Sequence, residues 1–345
     1  MEKPYIIAGP CSVESREQLL HVTEQLCKIP RVHLIRGGVW KPRTRPGGFE
    51  GLGEPALGWM KEIADSDLRM ADGQRVRFCC EVARPEHVQL CLKYGIGTVW
   101  IGARTTANPF MVEEICSALR GTQMDVMVKN PMNPDVHLWL GAIERVRQAG
   151  IAHISAVHRG FSTYQPSTFR NNPLWELSLE LKRQLPDIPL LCDPSHIGGR
   201  RDLIPMLVQS AMLLDYDGLM IEVHPTPDTA WTDKSQQITP EALADLLAQL
   251  ATYRTSINSP RLELMRKQID EIDREVLQLL AHRMQLARQI AGEKKQLHMT
   301  IFQPQRWETV LDDRLRQAEA AGLNPAFVQE LMEKIHGESV RVQME

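Results

Sequence analysis

The sequence predicts an α/β fold, a (β/α)8 TIM barrel, followed by a small all-α domain. Three observations carry this. Eight short β-rich apolar runs alternate with helix-patterned stretches over roughly 250 residues, the size of such a barrel. No G-x-G-x-x-G follows any run, which disfavours an open doubly wound sheet. Beyond Pro260 the alternation stops and a heptad-like seam takes over.

The runs are Tyr5–Ala8, Val32–Ile35, Val76–Val82, Gly97–Ile101, Asp125–Val128, Ala152–Val157, Pro189–Cys192 and Gly218–Val223. Helical pattern fills 14–27, 55–70, 85–93, 109–119, 135–148, 173–184, 201–214 and 239–253, several opening on start signals: Ser12, Pro109 and Pro134-Asp135. The barrel domain is set at 1–255, a polar linker at 256–261 and the helical domain at 262–345. In that domain Leu262, Met265, Ile269, Ile272, Val276, Leu279, Arg283, Leu286 and Ile290 alternate spacings of three and four along one helix roughly 50 Å long. Further helices are expected over 306–320 and 325–343. A first helix too long to fold back on so small a monomer predicts an intertwined homodimer or a larger assembly.

Composition narrows the function. With 43% apolar and 24% charged residues in 345, the chain can bury a substantial core. A net charge of -3 gives no case for a nucleic-acid partner. No apolar run reaches the ~20 residues of a membrane span, and MEKPYIIAGPCS lacks a leader of signal-peptide length. Seven cysteines without a CxxC pair argue against a disulfide framework and for a reducing cytoplasm.

The residues after each strand are ionisable. Arg36, Lys41, Arg43 and Arg45 cluster after the second run, Glu81 ends the third, and Arg104, Lys129 and His158-Arg159 follow the next three. Asp193 and His196 follow the seventh, Glu222 and His224 close the eighth, and Asp233 lies in the loop beyond. Barrel loops of this kind open on one face, so these groups share a pocket. Arg36, Lys41, Arg104, Lys129 and Arg159 make an anion cradle suited to phosphate and carboxylate. Cys11, His196, Glu222 and Asp233 are metal-ligand types whose mixture of sulfur, imidazole and carboxylate fits a catalytic divalent ion. The choice among manganese, iron, cobalt and zinc stays open. In the long helix Arg283 occupies a seam position, where an unpaired cation is costly to bury. Lys294, eleven residues on, points the same way, while Arg266 lies about 100° off that face. Ser339 and Gln343 share a face of the last helix.

The segments AGPCSVES (8–15), KPRTRPGGFEG (41–51), IGARTTANP (101–109), VKNPMNPD (128–135), HRGFS (158–162), CDPSHIGGR (192–200) and IEVHP (221–225) resemble 3-deoxy-D-arabino-heptulosonate 7-phosphate (DAHP) synthase. The branch resembled is the short one, type I beta-like, which lacks an N-terminal regulatory extension. The resemblance implies condensation of phosphoenolpyruvate with erythrose 4-phosphate, the entry step of the shikimate pathway. It implies that Arg36, Lys41, Arg104, Lys129 and Arg159 bind phosphoenolpyruvate, with Lys41 and Lys129 catalytic, and that Arg43 and Thr44 bind the aldose phosphate. Cys11, His196, Glu222 and Asp233 match the family's ligands to one divalent ion, Mn2+ foremost, with Fe2+, Co2+ and Zn2+ as substitutes. His158 stands where related chains often carry Glu. A sibling synthase using arabinose 5-phosphate is the alternative, against which the Arg-Thr pair of KPRT argues.

The segment LELMRKQIDEIDREVLQLLAHRMQLARQIAGEKK resembles the all-helical chorismate mutases, which convert chorismate to prephenate. The resemblance assigns chorismate binding to Arg266, Arg283, Lys294, Arg306, Ser339 and Gln343. Lys294 and Gln343 would donate to the ether oxygen, and Arg266 would reach across a dimer. Gln303 and Trp307 depart from the family pattern, which has an acidic residue and a Glu there. An alternative makes the tail a dimerising module that senses chorismate or prephenate and inhibits the barrel. The small-molecule chemistry fits an allosteric metabolic enzyme of aromatic amino acid biosynthesis with neither nucleic-acid nor membrane partners.

Overall fold

A computed structural model describes residues 4–41, 47–164, 167–250 and 259–345. Its contacts divide the chain into two units, Met1–Thr255 and Ser256–Glu345. In the first, strands β1 (Tyr5–Gly9), β2 (Val32–Arg36), β3 (Phe78–Val82), β4 (Thr98–Ile101), β5 (Asp125–Lys129), β6 (Ile154–His158), β7 (Leu190–Cys192) and β8 (Gly218–Glu222) form a closed parallel barrel in chain order. The seam closes with Tyr5 opposite Gly218 and Gly9 opposite Glu222.

The helices of this unit are α1 (Arg16–Leu26), α2 (Glu54–Asp65), α3 (Pro85–Lys93), α4 (Ala103–Thr106), α5 (Pro109–Leu119), α6 (Val136–Gln148), α7 (Trp175–Gln184), α8 (Pro194–Gly198), α9 (Ile204–Leu213) and α10 (Pro240–Ala248). Local chemistry sets their starts. Asp135 caps α6 by accepting from the backbone amides of His137 and Leu138, worth about 1 kcal/mol. The start of α1 corrects an expectation: Ser15, not Ser12, is its cap, accepting from the Gln18 amide at 3.1 Å. Ser12 instead meets the Thr232 hydroxyl at 2.5 Å. The short helices α4 and α8 had no sequence signal, because four or five residues cannot display a helical period.

The interior of the barrel is layered. Ile7, Leu34, Cys79, Trp100, Met127, Val157, Leu191 and Met220, one from each strand, form a buried apolar layer. Side chains two residues apart on a strand point the same way. The next inward positions are therefore Gly9, Arg36, Glu81, Gly102, Lys129, Arg159, Asp193 and Glu222. One step along each strand separates a hydrophobic floor from a charged ceiling. The two glycines make room: a Cβ on Gly9 would lie 2.1 Å from the Arg36 carbonyl oxygen, and one on Gly102 would lie 2.2 Å from Glu81 Oε1.

The second unit has α11 (Pro260–Gln296), α12 (Pro304–Ala320) and α13 (Pro325–Met344). Helix α11 spans 37 residues, about 55 Å at 1.5 Å per residue. It starts two residues before the expected Leu262, with Pro260 in its first turn and Ser259 as its cap. The rest of the expected linker, 256–258, lies outside the described residues. Helix α13 packs on both α11 and α12. The seam residues Leu262, Met265, Ile269, Ile272, Val276, Leu279, Leu286 and Ile290 are all exposed within the single chain.

Candidate functional site

The charged layer opens at the carboxyl ends of the strands. Arg36 is 1% exposed and places Nη2 3.0 Å from Glu222 Oε1, with its guanidinium 5.0 Å from the centre of the Trp100 ring. Its Nε and Nη1 are buried without a hydrogen-bond partner among the described residues. Lys129 lies over the same indole and pairs with Asp193 Oδ2 at 2.7 Å. Trp100 Nε1 donates to Glu81 Oε2 at 2.9 Å, so the ring is fixed beneath both cations. Arg159 donates to Asn171 Oδ1 at 2.7 Å, and its backbone amide donates to Asn130 Oδ1 at 2.7 Å.

The charges perturb each other as a shared pocket requires. Burial would raise the Glu222 carboxyl, but His196, Arg36 and Lys41 outweigh it and hold its pKa at about 2. Asp193 is likewise held well below the carboxylate range, as His196, Lys129 and Arg36 overcome its burial. Burial lowers Arg159 to about 10, Asp193 opposes this, and the nearby Arg170 and Arg104 add to the depression. Arg104, exposed on α4, thus belongs to the same field. The expected Arg43 and Thr44 lie outside the described residues.

The four expected metal ligands stand at this mouth as two pairs. Cys11 Sγ donates to Asp233 Oδ2 at 3.2 Å, and His196 Nε2 stands 3.7 Å from Glu222 Oε1. Lys41 Nζ donates to Cys11 Sγ at 2.6 Å, and Arg170 holds Asp233 Oδ1 at 2.9 Å. Among the described residues, no three His, Cys, Asp or Glu side chains are drawn around one point as an ion would require. Arg36 faces Glu222, Lys41 faces Cys11 and Arg170 faces Asp233. The donor set still fits a divalent ion in its chemistry. Glu222 Oε1 is buried between Arg36 Nη2 at 3.0 Å and His196 Nε2 at 3.7 Å, with no further hydrogen bond among the described residues.

Asn130, Asn171, Arg170 and Gln236 complete the site without having been singled out, and Asp193, expected in the shared pocket but given no role, pairs with Lys129. For Asp193 a signal existed, since it stands two residues after Leu191 and so joins the charged layer. Arg170 and Asn171 had none: they reach the mouth because the β6–α7 loop returns through mutual backbone bonds between Phe161 and Asn172. His158 is one residue out of phase with the charged layer and points outward. It lies among Trp139, Phe161, Trp175 and Tyr216, with Tyr216 Oη donating to Nδ1 at 2.9 Å and Nε2 donating to the Pro173 carbonyl at 2.7 Å.

In the helical unit Arg283 donates to Ser339 Oγ and to the Ile335 carbonyl at 3.4 Å. Gln343 Nε2 bonds the Ser339 carbonyl at 3.2 Å, and Lys294 Nζ bonds the Ile301 carbonyl at 2.5 Å. Arg266 is not brought to this group: it is exposed and pairs with Glu263 at 2.8 Å. Arg306 is also exposed.

The profile of the DAHP synthetase I family matches residues 2–259. The chain belongs to the DAHP synthetase I family. Over 245 residues it is 31% identical to the phospho-2-dehydro-3-deoxyheptonate aldolase of Thermotoga maritima, covering 71% of this chain and 68% of that one. The crystal structure of the Thermotoga maritima enzyme superposes with a TM-score of 0.60 at 30% identity, covering 71% of this chain and 67% of the other. The profile described as chorismate mutase type II matches residues 265–344. There the chain is 32% identical over 78 residues to the T-protein of Enterobacter agglomerans, covering 23% of this chain and 21% of that one. This DAHP synthetase I family member is a bifunctional shikimate-pathway enzyme, with transferase and isomerase activities on small molecules. The matches favour neither the arabinose 5-phosphate sibling nor a purely regulatory tail. The DAHP synthase family is generally metal-dependent, and no helix among the described residues is long and apolar enough to cross a membrane.

Proposed function

We propose that the barrel joins phosphoenolpyruvate to erythrose 4-phosphate through the charged layer, and that the helical domain rearranges chorismate to prephenate through Arg283, Lys294, Arg306, Ser339 and Gln343. The observation that carries the barrel reading is Arg36, a fully buried guanidinium with two nitrogens that have no hydrogen-bond partner among the described residues. Buried donors of this kind are retained where a ligand completes them, and a planar fork suits a carboxylate or phosphate. Lys41, Arg104, Lys129 and Arg159 hold the remaining charge of phosphoenolpyruvate, and Arg43 and Thr44 hold the aldose phosphate.

C3 of the enol phosphate bonds to the aldehyde carbon, and the aldehyde oxygen takes up the electron pair and a proton. Water adds at C2, and the carbon–oxygen bond to phosphate breaks to release inorganic phosphate. Lys129, oriented by Asp193 at 2.7 Å, moves the proton. The fixed cations stabilise charge without reorganising. Cys11, His196, Glu222 and Asp233 would hold one divalent ion, Mn2+ foremost and Fe2+, Co2+ or Zn2+ as substitutes, supplying Lewis acidity towards the aldehyde oxygen.

The mutase step is pericyclic and needs no acid, base or nucleophile, so its residues act by holding the reactive conformer. Lys294 and Gln343 donate to the ether oxygen. The exposed seam of α11 supports a homodimer in which Arg266 serves the site of a second copy. Seven free, buried cysteines support a cytoplasmic setting.

One full-length preparation tests both halves. Condensation is followed with erythrose 4-phosphate and with arabinose 5-phosphate, and chorismate loss is followed in parallel. Lys129→Met is expected to lower kcat, and a rise in the phosphoenolpyruvate KM alone would remove its proton role. Lys294→Ala is expected to abolish chorismate turnover while condensation persists, so retained turnover would refute the mutase site.

A further inference from the structure

The helical domain holds a polar group that the assigned chorismate residues do not use. His336 lies on α13 about 60° from Ser339 and 20° from Gln343 at 100° per residue, so the three share one face. Trp307 of α12 stacks on its imidazole, with ring centroids 4.0 Å apart and planes 14° from parallel. Phe302 packs at 5.9 Å. His336 Nε2 is buried and has no hydrogen-bond partner among the described residues, and the same holds for Gln343 Oε1 on that face. Leaving a buried polar atom unsatisfied costs about 1–3 kcal/mol, a cost a bound ligand can remove.

We infer that His336 is a further substrate-binding residue of the chorismate site, taking up the ring hydroxyl of chorismate while Trp307 holds the imidazole plane. This rests on the assignment of the chorismate site above. Chorismate presents two carboxylates, an ether oxygen and one hydroxyl. The cations Arg283 and Lys294 suit the anionic groups and the ether, whereas a hydroxyl, both donor and acceptor, suits a neutral ring nitrogen. Burial first, then Arg283 and Lys294, lower the imidazole's pKa and keep it neutral. The departure at Trp307 thereby gains a physical role: position 307 supplies the platform on which the imidazole lies.

The test uses the full chain with chorismate and with the analogue in which hydrogen replaces the ring hydroxyl. The wild type is expected to favour chorismate about tenfold in kcat/KM, the worth of one buried hydrogen bond. His336→Phe keeps the stack and removes both nitrogens. It is expected to lose about tenfold on chorismate and to stay within about twofold on the analogue. His336→Gln, which returns a polar atom near Nε2, is expected to recover part of the loss. Equal losses on both substrates, or no loss on chorismate, would overturn the inference. If His336→Phe does not fold, as read by circular dichroism, a wild type that fails to discriminate the two substrates overturns it equally. Lys294→Ala separates the two levels: turnover retained in that variant removes the site assignment itself, whatever His336 does.

Discussion

Replacing Arg36 by Lys keeps a charge beside Glu222 and removes the planar fork. In the wild type, Nη2 faces Glu222 Oε1 at 3.0 Å while Nε and Nη1 are buried without a hydrogen-bond partner among the described residues. If both free nitrogens serve phosphoenolpyruvate, each charge-assisted hydrogen bond contributes about 1.5–3 kcal/mol. An ammonium can restore one of them but lacks the geometry for the pair. A net loss of about 2 kcal/mol corresponds to roughly a thirtyfold weaker interaction. The assay is steady-state condensation with phosphoenolpyruvate varied at saturating erythrose 4-phosphate. KM is expected to rise about thirtyfold, with a midpoint of thermal unfolding close to wild type. Arg36→Met, by contrast, leaves a buried carboxylate short of a cation, about 3–5 kcal/mol. At roughly 2–4 °C per kcal/mol for a domain of this size, its melting point should drop by about 10 °C. An unchanged phosphoenolpyruvate KM in Arg36→Lys would refute the role given to the free nitrogens.

Three further outcomes are expected. His158 is fully buried, and desolvation lowers its pKa to about 4, against the opposing bond to Pro173. The unfolded chain therefore binds the proton first, and the barrel should lose up to about 3 kcal/mol as pH falls from 6.5 through 4. Urea midpoints at pH 7 and 4.5 measure this, and an identical pH response in His158→Gln would assign the loss elsewhere. Asn171→Ala removes the 2.7 Å brace on Arg159 and the 2.6 Å bond to the His196 carbonyl. It should raise the phosphoenolpyruvate KM about tenfold with little change in kcat, and a selective fall in kcat would contradict a bracing role. Stripping divalent ions with a chelator should abolish condensation and leave chorismate rearrangement intact in the same sample. Loss of both activities would argue against two chemically independent sites.

Much of the barrel was legible because its signals are local. Short β-rich runs punctuated by caps and prolines marked all eight strands to within two residues at either end, and helices such as Pro85–Lys93 and Pro109–Leu119 matched their expected spans. The charged ends of the strands also showed in the sequence, since residues such as Arg36 and Lys129 follow apolar runs directly. The loops were less readable. Nothing near Arg170 announces that its guanidinium reaches Asp233 at 2.9 Å, 63 residues along the chain. His158 was equally opaque: adjacent in sequence to Arg159, it faces the opposite side of the strand because side chains alternate.

The sequence by itself determined the order of the eight strands and the longer helices between them, the barrel class, the heptad seam and the inventory of cations, carboxylates and sulfur. Each follows from short-range periodicity or from residue type. Only the tertiary structure decided which charges neutralise which. It gave Arg36 to Glu222, Lys129 to Asp193, and Lys41 to Cys11. It also set Trp307 against His336. Such pairings depend on distances between residues far apart in the chain, which closure of the barrel and packing of the three helices fix and local pattern does not encode.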